Sequence, residues 1–368
     1  MMNFQYYMPT QIYFGAFCIK ENQHLLKNYG ERVLIVTGRS SSKKNGSLDD
    51  ILQSLQDQGI ESLIFDEVEE NPSLETLEKA AQMGKDFQAQ FVIGVGGGSP
   101  VDAAKGIGVL VQNPTCTVHD LFQQGDLQSL PIVAVVTTSG TGTETTPYAI
   151  FTDHNLQTKV NFQPKIFPHV AFLDPRYFET MPDQVAIDTA VDALSHLVEG
   201  YLTVKANVLS DLWAEQGMAL WKDCISALQS KKWTLEQREK MILASTIGGM
   251  VIAQTGTSLP HGMGYAFTYF KDITHGKANG LLMKEYIKMH PNKEKTRRIL
   301  DILGMETEET LGNFLAEILG EPIILTKEEI QQYTEGMVSN AAKLKNHPGL
   351  VTAEDIEKIY GSSCKTIE

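Results

Sequence analysis

Between residues 32 and 137 the chain repeats one pattern, a short apolar run, a turn and an amphipathic stretch. The runs are 32–37 (RVLIVT), 61–65, 91–95 and 131–137, and the amphipathic stretches are 48–58, 74–86 and 100–111. An apolar run without polar alternation must be covered on both faces, as strands of a parallel sheet are. Runs that alternate with helices in this way specify a doubly wound α/β domain. Residues 5–17 mix aromatic and β-branched side chains around Pro9 and Gly15, which predicts an early strand or hairpin, and 18–29 reads as helix. After Asp174-Pro175 the strand-like runs stop. Met181-Pro182-Asp183 opens a helix, and further helices are expected at 207–229, 234–253, 308–319, 327–345 and 353–360. The expected domains are 1–178, α/β, and 179–368, all-helical.

Hydrophobic residues make up 42% of the 368-residue chain and charged residues 21%, enough apolar content for large cores. The net charge of -14 excludes nonspecific nucleic-acid binding, because nothing broad would neutralise phosphates. The basic stretch 284–298 is interrupted by Glu285 and Glu294 and reads as a solvated helix face. Cys18, Cys116, Cys224 and Cys364 lie far apart and form no metal or redox pair, as in a reducing compartment. The start, Met1-Met2-Asn3-Phe4-Gln5-Tyr6, has no basic region followed by an apolar run, and no stretch approaches the ~20 apolar residues of a membrane span. The expectation is a cytoplasmic protein with neither nucleic acid nor membrane as partner.

Two constellations carry chemistry. In the first, the run ending at Val95 leads into Gly96-Gly97-Gly98-Ser99-Pro100-Val101-Asp102, and the motif closes at Lys105. Glycines after a strand allow a tight turn and close approach of a ligand. Ser99 is read as the N-cap, Pro100 as the first helical residue and Asp102 as a capping-box acid. A helix N-terminus of this kind favours a pyrophosphate. The spacing differs from G-x-G-x-x-G, and a turn capped for stability alone is the alternative. A second loop, Thr137-Thr138-Ser139-Gly140-Thr141-Gly142, offers small hydroxyl donors suited to ribose and phosphate oxygens. Candidate dinucleotide contacts are Gly96, Gly97, Gly98, Ser99, Asp102, Thr137, Thr138 and Thr141. Gly38, Arg39, Ser40 and Ser41 follow an early strand where an acid would select NAD. Their chemistry favours NADP(H) over NAD(H).

The second constellation is Asp192 with His196, four residues apart and on one helix face, together with His261 and His275, each followed by glycine. A carboxylate and three imidazoles can close around a divalent first-row metal, Fe(II) or Zn(II). Small residues beside these histidines are read as letting the backbone approach a substrate. His24, His119, His154, His169, His290 and His347 have no such context and read as structural.

With both motifs in view, the chain resembles the iron-containing (group III) alcohol dehydrogenase family. The similarity runs from Met8-Pro9-Thr10-Gln11-Ile12-Tyr13-Phe14-Gly15 to His347-Pro348-Gly349-Leu350, and 96–105, 137–144, 192–199 and 261–280 are its most specific parts. The resemblance implies a dehydroquinate-synthase-like dinucleotide domain, an all-α metal domain and a cleft between them. It also implies Asp192, His196, His261 and His275 as Fe(II) ligands, with Zn(II) accepted by the same set. Gly97, Gly98 and Ser99 would touch the pyrophosphate, and Thr137, Thr138 and Lys159 would lie along the cofactor. Members that use NAD tend to have Asp at the position of Gly38. Where many members have a further histidine, thought to carry a proton, this chain has Tyr265, which becomes a catalytic candidate: the relay would run through Tyr265 and water, or the alcohol would exchange protons with solvent directly. The implied activity is NADP(H)-dependent oxidation of a small primary alcohol, or reduction of an aldehyde, by a homodimer. The alternatives are a polyol or glycerol-type dehydrogenase of the same superfamily and, in another class, a catalytically silent dinucleotide sensor.

Overall fold

The computed structural model describes residues 4–154 and 158–367; Met1 to Asn3, part of the start read above for a leader, lie outside them. The chain forms two compact units, one of Met8–Pro182 and one of Met1–Tyr7 with Asp183–Glu368. The division thus falls four residues after 178. The first residues join the helical unit, where both ends of the Gln254 amide hold the Tyr7 backbone (3.0 and 2.7 Å).

In the α/β unit, β1 (Gln11–Phe14), α1 (Cys18–Glu21), β2 (Arg32–Gly38), α2 (Ser41–Lys44) and α3 (Ser47–Asp57) come first. They are followed by β3 (Glu61–Val68), α4 (Leu74–Asp86), β4 (Phe91–Gly96), α5 (Gly98–Gln112) and β5 (Ile132–Val136). The unit ends with β6 (Ile150–Asp153), β7 (Thr158–Asn161) and β8 (Val170–Leu173). Six strands make one sheet in the order β1-β8-β5-β4-β2-β3, and every pairing is parallel. Val33 to Val36, Val92, Ile93 and Ile132 to Val135 are fully buried, which is why these runs lack polar alternation. The first segment is a single strand, paired with β8, and not a hairpin. The helix expected at 18–29 breaks at Asn22, whose side chain donates to Cys18 O (2.8 Å), and continues as a tighter 3-10 turn. An antiparallel pair, β6 with β7, was not expected from the sequence.

In the other unit, α6 (Asp183–Leu202), α7 (Val208–Lys222), α8 (Ile225–Ser230), α9 (Leu235–Thr255) and α10 (Leu259–Phe270) come first. Then follow α11 (His275–Met289), α12 (Lys293–Leu303), α13 (Glu308–Leu319) and β9 (Ile324–Thr326). Last are α14 (Lys327–Val338), α15 (Ala341–Asn346), α16 (Ala353–Ser363) and β10 (Lys365–Ile367). Apart from the short β9–β10 pair, the unit is helical around a core that includes Leu194, Trp221, Phe267 and Tyr286. The helix expected at 327–345 is two, because Asn340 accepts a hydrogen bond from Lys343 N (3.3 Å) and starts α15 afresh. The basic stretch is a charge-paired surface: Lys288 meets Glu309, Lys295 meets Asp211 and Arg298 meets Glu215. Among the described residues no single helix is long and apolar enough to cross a membrane.

Two of the histidines without chemical context are buried against each other. His290 and His347 meet edge to face at 5.1 Å, and burial pushes both down to about 4 from the ordinary 6.5. With depressed values in the fold, the unfolded chain takes up protons first as the pH drops. The stability they contribute is complete above pH 6.5 and is lost as the pH falls towards 4. Denaturant midpoints of the wild type should therefore decline across that window, with each mismatched proton adding about 1.4 kcal/mol per pH unit. His347→Gln should flatten the decline; an unchanged slope would exclude this pair as its source.

Candidate metal and dinucleotide sites

On α6, Asp188, Asp192, His196 and Glu199 share one face and all are buried. Buried polar groups need partners, and α10 and α11 supply them. Asp188 accepts from Thr274 Oγ1 (2.7 Å) at the entrance to α11 and from Gln184 Nε2 (2.8 Å). Asp192 Oδ1 accepts from Asn279 Nδ2 (3.1 Å). Glu199 Oε1 lies 2.5 Å from His261 Nδ1, and its Oε2 accepts from Ser258 N (2.7 Å). His261 Nε2 thereby comes to 3.8 Å from Asp192 Oδ1. One ligand atom each of Asp192, His261 and His275 falls within 4.8 Å of the others. His196 stands beside them, its ring stacked on that of His261 at 4.7 Å. Tyr265, one turn beyond His261, stacks on His275 at 5.6 Å and 20°. Burial raises the Asp192 carboxyl, but His196, His275 and His261 outweigh it and hold it below the ordinary carboxylate range. Burial raises the Glu199 carboxyl, with the Lys343 ammonium opposing. A buried carboxylate among imidazoles, one of them oriented by a second carboxylate, is a donor set that fits divalent iron.

The glycines beside the histidines have a different use from the one their sequence context suggested. A Cβ on Gly276 would lie 1.7 Å from Asp188 O, one on Gly280 2.4 Å from Val191 Cγ1, and one on Gly262 2.8 Å from Met337 Sδ. Their space is taken by neighbouring helices and not by a ligand. The close approach of α11 to α6 is what brings His275 to Asp192.

In the α/β unit the cradle differs from its sequence reading in detail. Gly97 is the N-cap and α5 begins at Gly98, so Ser99 and Pro100 lie inside the first turn. Glycine has no side chain to obstruct helix entry. Ser99 Oγ instead accepts from Asn71 N (3.3 Å). Asp102 does not fold back as a capping acid; it accepts from Thr143 Oγ1 (2.5 Å) and Ile150 N (3.0 Å). Burial raises its carboxyl, and Lys105, Thr143, Ile150 and Lys159 pull it back. Lys159 itself lies on β7, opposite Thr152. The two loops meet: a Cβ on Gly97 would lie 2.9 Å from Thr138 Oγ1, and one on Gly98 2.7 Å from Thr141 Cγ2. Gly96 has a φ of +148°, a conformation that glycine adopts without strain. Thr137 N donates to Gly96 O (2.9 Å). Lys105, fully buried, donates to Thr143 O, Thr143 Oγ1, Thr146 O and Tyr148 O at 2.6–3.0 Å and so pins the second loop. Burial pushes its ammonium down to about 8. At the end of β2, Arg39, Ser40 and Ser41 are exposed, and a Cβ on Gly38 would meet nothing nearer than Val68 O at 3.4 Å.

Residues 9–175 match the sequence model of the family described as iron-containing alcohol dehydrogenase, and 186–364 match that of the Fe-containing alcohol dehydrogenase family, C-terminal. The chain belongs to the iron-containing alcohol dehydrogenase family. It is similar to an NADPH-dependent butanol dehydrogenase of Clostridium saccharobutylicum, 30% identical over 99% of this chain and 93% of that one. An iron-containing alcohol dehydrogenase of Thermotoga maritima superposes with a TM-score of 0.92 at 41% identity, covering 98% of this chain and 99% of the other. An NADH-dependent butanol dehydrogenase A from the same organism gives 0.87 at 26%, covering 99% of each. The chain is thus an alcohol dehydrogenase of the iron-containing type. Bound iron supplies a Lewis acid to an alcohol or aldehyde oxygen.

The sequence reading missed Glu199, Asn279 and Asp188. Each shares a helix face with an assigned residue, at three or four positions' distance, and that periodicity was the available signal. Gly276→Ala should force α11 away from α6, costing about 1–3 kcal/mol in overpacking and roughly tenfold or more in iron affinity. Gly361→Ala, where nothing lies within 4 Å, is the control. Iron retention after dialysis, read with the melting temperature, checks both; a Gly276→Ala protein that keeps its iron would refute the packing argument.

Proposed function

We propose that this protein is an NADP(H)-dependent alcohol dehydrogenase, working as an aldehyde reductase on small primary alcohols and aldehydes. Asp192, His196, His261 and His275 hold Fe(II). The glycine cradle with Thr137, Thr138 and Thr141 takes the dinucleotide, Asp102 braces that cradle, and Lys159 lies along the cofactor. The observation that carries the reading is the convergence of Asp192, His261 and His275 within 4.8 Å. The chain's own groups hold the ion in place, with Asn279 and Glu199 fixing the orientation of two of them. A nicotinamide held there would supply the hydride chemistry, while the chain's own groups would supply binding and orientation.

Preference for NADP(H) is supported by the room at Gly38, which places no carboxylate against a 2′-phosphate, and by exposed Arg39, Ser40 and Ser41. The Clostridium relative is named NADPH-dependent and the Thermotoga one NADH-dependent, so proteins similar to this chain differ in their nicotinamide cofactor. The four free cysteines agree with a reducing, cytoplasmic setting.

Protein loaded anaerobically with Fe(II) should oxidise NADPH when butanal is added, and a chelator should stop it. Gly38→Asp should lower kcat/KM for NADPH by about tenfold or more, since the introduced charge opposes the phosphate, while NADH use is kept or raised. Equal use of both cofactors by the two proteins would remove Gly38 from the specificity site. Tyr265→Phe keeps the ring stacked on His275 and removes the hydroxyl. Activity should survive; a loss on the order of a hundredfold would make the phenol the proton carrier.

A further inference from the structure

We infer that Glu199 and Lys343 form a brace that holds His261 in the tautomer presenting Nε2 to the metal. The inference rests on the proposed role of His261 as a ligand. Neither residue touches substrate, and both act as positioning residues.

The geometry begins at Glu199, which is fully buried on α6 one turn beyond His196. Its Oε1 faces His261 Nδ1 at 2.5 Å, and its Oε2 accepts from Ser258 N at 2.7 Å and, more weakly, from His261 N at 3.5 Å. With Nε2 turned to the metal position, Nδ1 carries the ring proton, and Oε1 is placed to accept it while Oε2 is already taken by backbone N–H groups. The lone pair is then left on Nε2, the atom 3.8 Å from Asp192 Oδ1. The same carboxylate therefore sets both the ring and the first turn of α10 that carries it.

A carboxylate withdrawn from water needs a counter-charge. Lys343, from α15, brings its ammonium to Thr257, the neighbour of the Ser258 that Glu199 holds, and its charge opposes the effect of burial on the carboxyl. Its stem passes Gly262, where an added Cβ would meet Lys343 Cγ at 3.1 Å, and its ammonium donates to Thr257 Oγ1. Asn346 reaches the same segment, donating Nδ2 to Thr255 O and Thr257 O, both at 2.9 Å. The short link between α9 and α10 is thus gripped by Glu199 at Ser258 and by α15 at Thr255 and Thr257. Asn340 caps the start of α15, the short helix that carries both Lys343 and Asn346.

The test uses Co(II) in place of iron, because its visible spectrum reports the ligand set and its affinity can be titrated against a chelator. The variants are Glu199→Gln, nearly isosteric; Lys343→Gln, which keeps a donor for Thr257 and removes the charge; Lys345→Gln, an exposed control on α15; and His261→Ala. Melting temperature and NADPH binding report folding. Glu199→Gln should lose roughly 10–100-fold in Co(II) affinity with an altered spectrum. Lys343→Gln should move in the same direction, and Lys345→Gln should match the wild type. If Glu199→Gln binds Co(II) with wild-type affinity and spectrum, the brace is overturned, and if only Lys343→Gln does so, Lys343 is removed from it. Should Lys343→Gln not fold, Glu199→Gln still decides. If His261→Ala also binds like the wild type, the ligand assignment fails instead, a different result from failure of the brace alone.

Discussion

A stripe of ionisable side chains along one buried face of α6 dictates most of what surrounds it. Asp188, Asp192, His196 and Glu199 follow one another turn by turn, and all four are buried. Each removed from solvent without a partner would cost several kcal/mol. The helical unit meets that demand by bringing two other helices against the stripe. Thr274 and Asn279 of the α11 region serve Asp188 and Asp192, and the first turn of α10 serves Glu199. His261 and His275 arrive at Asp192 as members of the same arrangement. The proposed metal donors are therefore one layer of a polar network shared by three helices, and the glycines at 276 and 280 are the steric condition for it.

The α/β unit uses a buried charge differently. Lys105 directs its four hydrogen-bond contacts to a single loop, three of them to carbonyls. With Asp102 reaching Thr143 and Ile150, the helix that follows the cradle grips the loop facing it. The side-chain-free surfaces of Gly97 and Gly98 let Thr138 and Thr141 settle against the turn. A pyrophosphate cradle needs backbone N–H groups held rigid before the ligand arrives. Here the rigidity comes from two charged side chains on the inner face of α5.

Elements with strong local signals were legible in the sequence. The helices at 74–86 and 308–319 were read with both ends correct, because Ser73 and Thr307 cap them and apolar periodicity fills them. The strands β2, β4 and β5 were legible as apolar runs. Three- or four-residue elements such as β8, β9 and β10 carry too few side chains for a period to show. The helix start at Gly97–Gly98 was hidden by a better-looking cap two residues later, a conflict between side-chain preference and backbone freedom. Asp192, His196, His261 and His275 were singled out by residue type and spacing. Glu199 was passed over although it lies three positions from His196 on one helix face, and Lys343, 144 positions further on, leaves no local pattern. The break at Asn340 needed tertiary context to see.

The two units differ in how they are threaded. Met8–Pro182 is one uninterrupted stretch, whereas the helical unit takes residues 4–7 from one end of the chain and everything after 182 from the other. During synthesis the α/β unit has its whole sequence outside the ribosome while most of α6 to α16 is still unmade. It can complete its sheet early. The helical unit cannot, because Tyr7 must wait for Gln254 and the acid at 199 for the lysine at 343. The nascent chain can therefore complete its α/β unit well before the helical unit has all of its sequence.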